Sequence, residues 1–452
     1  MGTIHNPMFD TDARMDCAHR SAQWWTRPLA CIFLAICGCS DVVVAQRAGE
    51  ESEKAQSARV TSLKLESVVL VQRHGVRSPT QGIATLKTWA EKDWPDWKVG
   101  PGELTDHGKE VVKLVARTVG NEYRAQGLLS GSCLDVKRRI VVWADEKDRR
   151  TRESGNMLAA ELAPACRFDV PVSFRKDRDL IFNSIDSHCY LDPEQVKSAV
   201  KAVLGSQEVI DTLAREALDF IQQAMAPTAC THGPGTCLDG KSEIDATRDH
   251  VELKGPLAIG SEAAEIFLLQ YAQGMPVNEV AWGHGAGVKQ IERFMAAHER
   301  ADQLTRNLDY IALRRGSRMA RLILDTLKGS GHSGEPSVPQ NVEVLALAGH
   351  DTNLSNMAGI FGLDLRVDGQ PDSTAPATAL AFELWRDAKT NVRYVKPKVF
   401  YLALSQMRDL KPEKARNSTL AFKHCSNDGP DGLCPLRDLS QKIDQATPLS
   451  CR

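Results

Sequence analysis

The stretch VLVQRHGVRSPT, residues 69–80, ends an apolar run in two arginines that bracket a histidine. Val68 to Val71 predicts a buried strand, and Gly75 and Pro79 break it. Arg73, His74 and Arg77 then stand at the carboxyl end of a strand, where open α/β sheets place ligands. Taken alone, the same residues also fit a strand followed by a solvated basic turn. The choice depends on whether other segments deliver matching groups to the same spot.

Two do. RIVVWADEKDRRTRESGNMLAAELA, residues 139–163, predicts a strand, a polar turn and a helix, with Arg149, Arg150 and Arg152 at the helix start. Cations there oppose the helix dipole, and a bound anion supplies the reason for them. VEVLALAGHDTNLSNMAGIFGL, residues 342–363, repeats the plan and places His350 and Asp351 between strand and helix. Three strands of one sheet thus present Arg73, His74 and Arg77, then Arg150, then His350 and Asp351. Unpaired charge of this density is costly in a core. Around a phosphate it is appropriate, because guanidinium groups grip phosphate oxygens bidentately. A histidine supplies a nucleophile or base, and the acid can donate a proton.

Composition narrows the classes. The 452 residues suffice for a large core in two lobes, and 42% hydrophobic with 25% charged residues is the balance of a globular protein. A formal net charge of −2 argues against nucleic acid as partner, so any anion site is built locally.

The first 45 residues differ from the rest. Arg20 and Arg27 precede PLACIFLAICGC, residues 28–39, an apolar run too short to span a bilayer, and Val43 and Ala45 hold small-residue cleavage positions. Residues 1–45 are read as a signal peptide cut after Ala45, with Met1 or Met15 as the start. A competing reading makes Cys39 a lipid anchor. Residues 46–59 are read as a flexible polar arm. Of twelve cysteines, Cys17, Cys31, Cys37 and Cys39 fall in the leader. The other eight are Cys133, Cys166, Cys189, Cys230, Cys237, Cys425, Cys434 and Cys451, an even number that fits disulfides in an oxidising compartment. Cys230–Cys237 and Cys425–Cys434 each enclose a short turn and are the simple local pairs, and the remaining four allow three pairings. No Cys-x-x-Cys occurs among the eight, so zinc is not expected.

These motifs resemble the histidine acid phosphatases, of the bacterial periplasmic phytase and acid phosphatase type. RHGVRSPT matches that family's nucleophile motif and GHDTN its proton-donor motif, and the likeness runs from about Glu66 to the C-terminus through EIFLLQYAQGMP (265–276), QPDST (370–374) and FELWRD (382–387). The resemblance implies a mixed-sheet α/β domain, residues 60–191 and 327–452, with a mostly helical domain inserted at 192–326. It implies the disulfides Cys133–Cys166, Cys189–Cys451, Cys230–Cys237 and Cys425–Cys434. His74 is implied as the nucleophile that becomes phosphohistidine, and Asp351 as the proton donor. Arg73, Arg77, Thr80, Arg150, His350 and Glu265 are implied to hold substrate. His298 either lines the pocket or is an exposed helix residue, and Arg315 either serves the substrate mouth or sits on a solvated face. No metal or cofactor is implied. A monomer acting on a small phosphate monoester in the periplasm or outside the cell is expected.

The substrate divides the family. Thr352 resembles phytases, whereas glucose-1-phosphatases tend to carry serine there. Gln81 replaces a common lysine, Glu262 replaces an apolar residue, and Ala377-Thr378 replaces a Gly pair. A carboxylate at Glu262, one turn before Glu265, is expected to disfavour a polyanion such as phytate. Phytase or broad acid phosphatase is favoured over glucose-1-phosphatase. Two other classes are set aside. An intracellular phosphoglycerate-mutase-like transferase conflicts with the leader and the cysteines. A non-catalytic inositol-phosphate-binding protein needs no proton donor.

Overall fold

A computed structural model of the chain describes residues 63–452, apart from 167–170, 206–208, 412–413, 424 and 426–428. The expectations for residues 1–59 (leader, cleavage site, Cys39 and polar arm) lie outside the described residues. The described residues belong to one compact unit.

The strands are β1 (Leu63–Arg73), β2 (Ile140–Ala144), β3 (Val172–Ser173), β4 (Glu243–Ala246) and β5 (Val251–Lys254). They continue with β6 (Val344–Gly349), β7 (Ala379–Asp387), β8 (Arg393–Tyr401), β9 (Arg416–Thr419) and β10 (Cys434–Pro435). Eight form one sheet in the order β10-β8-β7-β1-β6-β2-β3, with β9 pairing β8. β1, β6, β2 and β3 run parallel, while β7 to β10 are antiparallel to their neighbours, so the sheet is mixed as expected.

The helices of at least eleven residues are α1 (Asp106–Ala125), α2 (Arg149–Leu162), α3 (Pro193–Leu204), α4 (Val209–Met225) and α5 (Pro256–Ala272). After them come α6 (Val288–Asp302), α7 (Asp309–Lys328), α8 (Asp351–Phe361) and α9 (Leu436–Ala446). β1 is covered on both faces. Val68 and Leu70 share a core with Val115 of α1 and Leu158 of α2, while Val69 and Val71 share another with Ile323 of α7 and Leu354 of α8. This is why the strand reads as an unbroken apolar run rather than an alternating one. Each of these four side chains contributes roughly 1.5–3 kcal/mol by leaving water.

Register then positions the chemistry. Arg73 lies opposite Gly349 and Ala144 opposite Ala348. The ladder runs one step further, with His74 N donating to Gly349 O (3.0 Å) and Asp145 N to Ala348 O (3.0 Å). His74, His350 and Asp145 therefore leave the sheet at one edge. A slip of one residue would turn the apolar faces of β1 over, so the cores and the site are fixed together.

Residues 193–328 are mostly helical, with one short hairpin, β4–β5, that the sequence reading did not place. Its strands have four residues each and exposed alternate positions, too short a pattern to show in sequence. α5 is apolar on nearly every side and almost wholly buried, so the glutamates on it are set inside the protein. Disulfides join Cys133–Cys166, Cys189–Cys451, Cys230–Cys237 and Cys425–Cys434, the pairing the resemblance implies. Among the described residues no helix is long and apolar enough to cross a membrane.

Candidate active site

The turn after β1 is held from all sides. Arg73 N donates to Thr378 O (3.0 Å) and Ala377 N to His74 O (2.9 Å), which pins the histidine to the segment before β7. Ala377 takes this position at φ 61°, a left-handed conformation that strains an L-residue and that the neighbouring contacts enforce. Gly75 must be glycine, because a Cβ there would come within 2.3 Å of Gly108 O at the start of α1.

His74 is 2% exposed, and its ring centroid lies 5.6 Å from that of His350. Burial first, then the charges of Arg150, Arg73, His350 and Arg77, hold it well below the usual imidazole range, so it is neutral. Its Nδ1 lies 2.8 Å from Gly75 O. A carbonyl only accepts, so the ring proton is on Nδ1 and Nε2 keeps its lone pair.

The arginines are arranged around carboxylates. Arg73 Nη1 donates to Asp372 Oδ2 (3.0 Å) and Thr374 O (2.8 Å), and its Nη2 pairs with Glu265. Arg77 Nη2 donates to the other Glu265 oxygen at 2.9 Å. Burial raises the Glu265 carboxyl, but Arg77 and Arg73 outweigh it and leave its pKa at about 2. Glu265 is thus a buried bridge between two arginines. Of the arginines at the start of α2, Arg149 is 68% exposed and pairs with Glu153, whereas Arg150 is 12% exposed and turns inward. Arg150 Nη2 donates to Asp148 Oδ2 (2.8 Å) and Nη1 to Gly102 O (3.2 Å).

At the end of β6, His350 Nε2 lies 2.9 Å from Asp145 Oδ2. Asn353 of the same motif is a clamp, accepting from His350 N (2.9 Å) and donating to Phe182 O (2.8 Å). Asp351 opens α8, with Oδ1 accepting from Thr352 N (2.8 Å) and Oδ2 from Arg306 Nη1 (2.7 Å). Burial raises the Asp351 carboxyl, but Arg306, Arg73, Arg77 and His350 overcome this and hold it well below the carboxylate range.

These groups meet at a cavity of about 710 Å³. Arg77, Thr80, Arg150, Glu265, His350, Asp351 and Arg315 line it, as do Glu262, Asp145 and Arg306. Arg73 and His74 are buried and do not line it, but each touches a lining residue: Arg73 pairs with Glu265, and the His74 ring packs edge-on against that of His350. His298, expected at the pocket or exposed on its helix, is neither. It is buried behind the wall with Nδ1 3.2 Å from Ser261 Oγ. Burial lowers its pKa, and Asp372 and Glu265 carry it above the ordinary value. Sequence reading passed over Asp145, Asp372 and Arg306. Asp145 had a signal, since it directly follows β2 as His74 directly follows β1. Among the described residues no group of three or more His, Cys, Asp or Glu side chains is placed to hold a metal.

Behind Asp372, Glu299 of α6 accepts from Ser373 N (2.9 Å) and Oγ (3.0 Å). Burial and then Asp372 push its carboxyl up to about 7. The folded state therefore binds this proton more tightly than the unfolded chain. The stability it contributes is complete below the ordinary value of 4.5 and is lost as pH rises to about 7. Glu299→Gln should flatten the fall of melting temperature across that window, and an unchanged slope would exclude Glu299 as its source.

Residues 64–208 match the model of the histidine phosphatase superfamily (branch 2). The phytase AppA of Escherichia coli (strain K12) is 31% identical over 413 residues, covering 86% of this chain and 93% of that protein. The chain belongs to the histidine phosphatase superfamily. As a member of that superfamily it is a hydrolase of phosphate monoesters. Hafnia alvei phytase in complex with tartrate superposes with a TM-score of 0.80 at 31% identity, covering 86% of this chain and 99% of that one. The glucose-1-phosphatase of Salmonella typhimurium is 24% identical, over 85% of this chain and 92% of its own. The mixed sheet and helices of this histidine phosphatase are those of the phytase structures.

Proposed function

We propose that this phosphatase is an exported phytase or broad acid phosphatase that works through a phosphohistidine on His74, with Asp351 as proton donor. The observation that carries the reading is the state of His74: neutral, with its proton turned to Gly75 O, which leaves Nε2 its lone pair, and with the charges of Arg150, Arg73 and Arg77 close to the ring. Nε2 attacks phosphorus, the bond to the leaving oxygen breaks, and Asp351 protonates that oxygen. Water then attacks the phosphohistidine, giving its proton to the Asp351 carboxylate and releasing phosphate and neutral His74. Arg77, Arg150 and His350, which line the cavity, hold the phosphoryl oxygens as charge develops. Arg73 and Glu265 set the floor. Four disulfides support an oxidising compartment, periplasmic or extracellular.

Phytate is favoured over glucose 1-phosphate because the phytase relative is the nearer of the two, at 31% against 24% identity. Initial rates on phytate, glucose 1-phosphate and an aryl phosphate at acidic pH test this. A preference for glucose 1-phosphate over phytate would overturn it.

Glu262 modulates the preference. Its Oε2 accepts from Gln81 Nε2 (2.5 Å), so the two departures from the enteric phytase pattern touch each other. Burial and then Glu265 raise its carboxyl above the ordinary value. The expected repulsion of a polyanion is therefore weak in acid and grows toward neutrality. Glu262→Met should lower KM for phytate about fivefold near neutral pH, roughly 1 kcal/mol for one charge, with a smaller change in acid. A singly phosphorylated aryl substrate should change little. Equal shifts for both substrates would make Glu262 a bystander.

A further inference from the structure

Arg306 belongs to neither quoted motif, yet it makes the closest ion pair to the proton donor. It sits on a π-helical turn, Gln303–Asn307, between α6 and α7. Such turns are frequent at functional sites. The turn is tied to the helix that carries Asp351: Asn356 Nδ2 donates to Arg306 O (2.8 Å) and Asn307 Nδ2 to Ser355 O (3.1 Å). From this anchor a single nitrogen, Nη1, serves two carboxylates, Asp351 Oδ2 at 2.7 Å and Asp302 Oδ1 at 3.3 Å. Asp302 is buried and its other oxygen accepts from Ser355 Oγ (2.5 Å). Nη2 and Nε of Arg306 have no hydrogen-bond partner among the described residues, and a quarter of the side chain stays exposed at the cavity. The guanidinium therefore holds the acid with one donor and has others to spare for an oxyanion.

This arrangement conflicts with a proton donor that is always ready. A carboxylate gripped at 2.7 Å by a guanidinium stays ionised in acid where an unpaired carboxyl would carry a proton. We propose that Arg306 is a positioning residue that keeps Asp351 ion-paired until a substrate phosphate claims its guanidinium, so that the acid becomes competent only in the loaded pocket. The phosphate dianion draws the spare donors and offsets the positive charge around Asp351. Asp351 then takes a proton from solution and passes it to the leaving oxygen. The inference rests on the reading of Asp351 as proton donor.

Other charges face Asp351 and remain when Arg306 is changed. Arg73 and Arg77 approach from the turn after β1, Arg150 from α2 and Arg315 from α7. Glu265 of α5, Asp302 of α6 and the adjacent His350 complete the set. The test is therefore a comparison between variants rather than an absolute value.

The readout is the alkaline limb of activity on an alkyl phosphate, where Asp351 must carry a proton. In kcat/KM the limb reports the free enzyme, and in kcat the loaded one. The wild type should show the kcat limb at higher pH than the kcat/KM limb. Arg306→Gln should move the kcat/KM limb up by roughly one to three pH units, the scale of one adjacent opposite charge, and close the gap. Arg306→Lys keeps the charge and should stay near the wild type, which separates the effect from damage to folding. A nitrophenyl phosphate, whose leaving group needs no proton, should show no such shift. A limb that stays in place in Arg306→Gln, or moves equally for the aryl substrate, overturns the proposal. Failure of the underlying reading looks different: Asp351→Asn would then slow the first step, phosphorylation of His74, equally for alkyl and aryl substrates.

Discussion

His74→Ala should lower turnover on every phosphate monoester by about 10⁴-fold or more, the loss typical of a removed nucleophile. No other group in the site can replace it. His350 is the nearest imidazole, and its Nε2 is committed to Asp145 at 2.9 Å. The arginines are always protonated and cannot attack phosphorus. The fold should survive, at a cost of roughly 1–3 kcal/mol. The backbone of residue 74 is held by Gly349 O and Ala377 N, which alanine leaves intact, and the lost side chain is one polar ring beneath the cavity. Acid quenching of the wild type during turnover should trap an acid-labile phosphoenzyme that the variant lacks. More than about 1% residual activity, or a trapped phosphoenzyme in the variant, would remove His74 from its role.

Much of this site was legible because each motif follows an unbroken apolar strand. β1 and β6 are buried on both faces, so their ends are marked sharply by the first charged residues, and those residues are functional candidates. The helix start at Arg149 was harder. Consecutive residues on a helix differ by about 100° in direction, so the choice of Arg150 rested on the family resemblance, and packing against Gly102 and Asp148 supplies the physical reason: Arg150 turns inward while Arg149 meets solvent. Asp145 was present in a quoted stretch but was passed over beside three arginines.

Other parts were not legible for physical reasons. Arg306 reaches Asp351 only because a π turn and two asparagine clamps set its direction, and no local spacing encodes that. His298 was weighed as pocket or solvent, but the charges of Asp372 and Glu265 make a third environment, buried and electrostatically held. Glu262 was readable as a carboxylate near the mouth. Its protonation was not, since burial and Glu265 together decide it.

Asp351→Asn should divide substrates by their leaving groups. Asparagine keeps the shape at the start of α8 but carries no transferable proton. For phytate or glucose 1-phosphate the departing alkoxide is strongly basic, so its release without a proton is slow, and a loss of about 10²–10⁴-fold in kcat is expected for a missing general acid. A nitrophenolate departs unaided. Its first step, phosphorylation of His74, should be nearly unaffected, but the same variant lacks the base that activates water for the second step. Rapid mixing should therefore show a burst of nitrophenol close to one equivalent per enzyme, followed by slow steady release. The substitution also removes one of the two carboxylate charges on Arg306, leaving Asp302, and a less opposed guanidinium beside the cavity should tighten binding of anions. A lower KM for the aryl phosphate should accompany the burst. Equal losses for alkyl and aryl substrates in the first step would mean that Asp351 shapes the pocket and donates nothing.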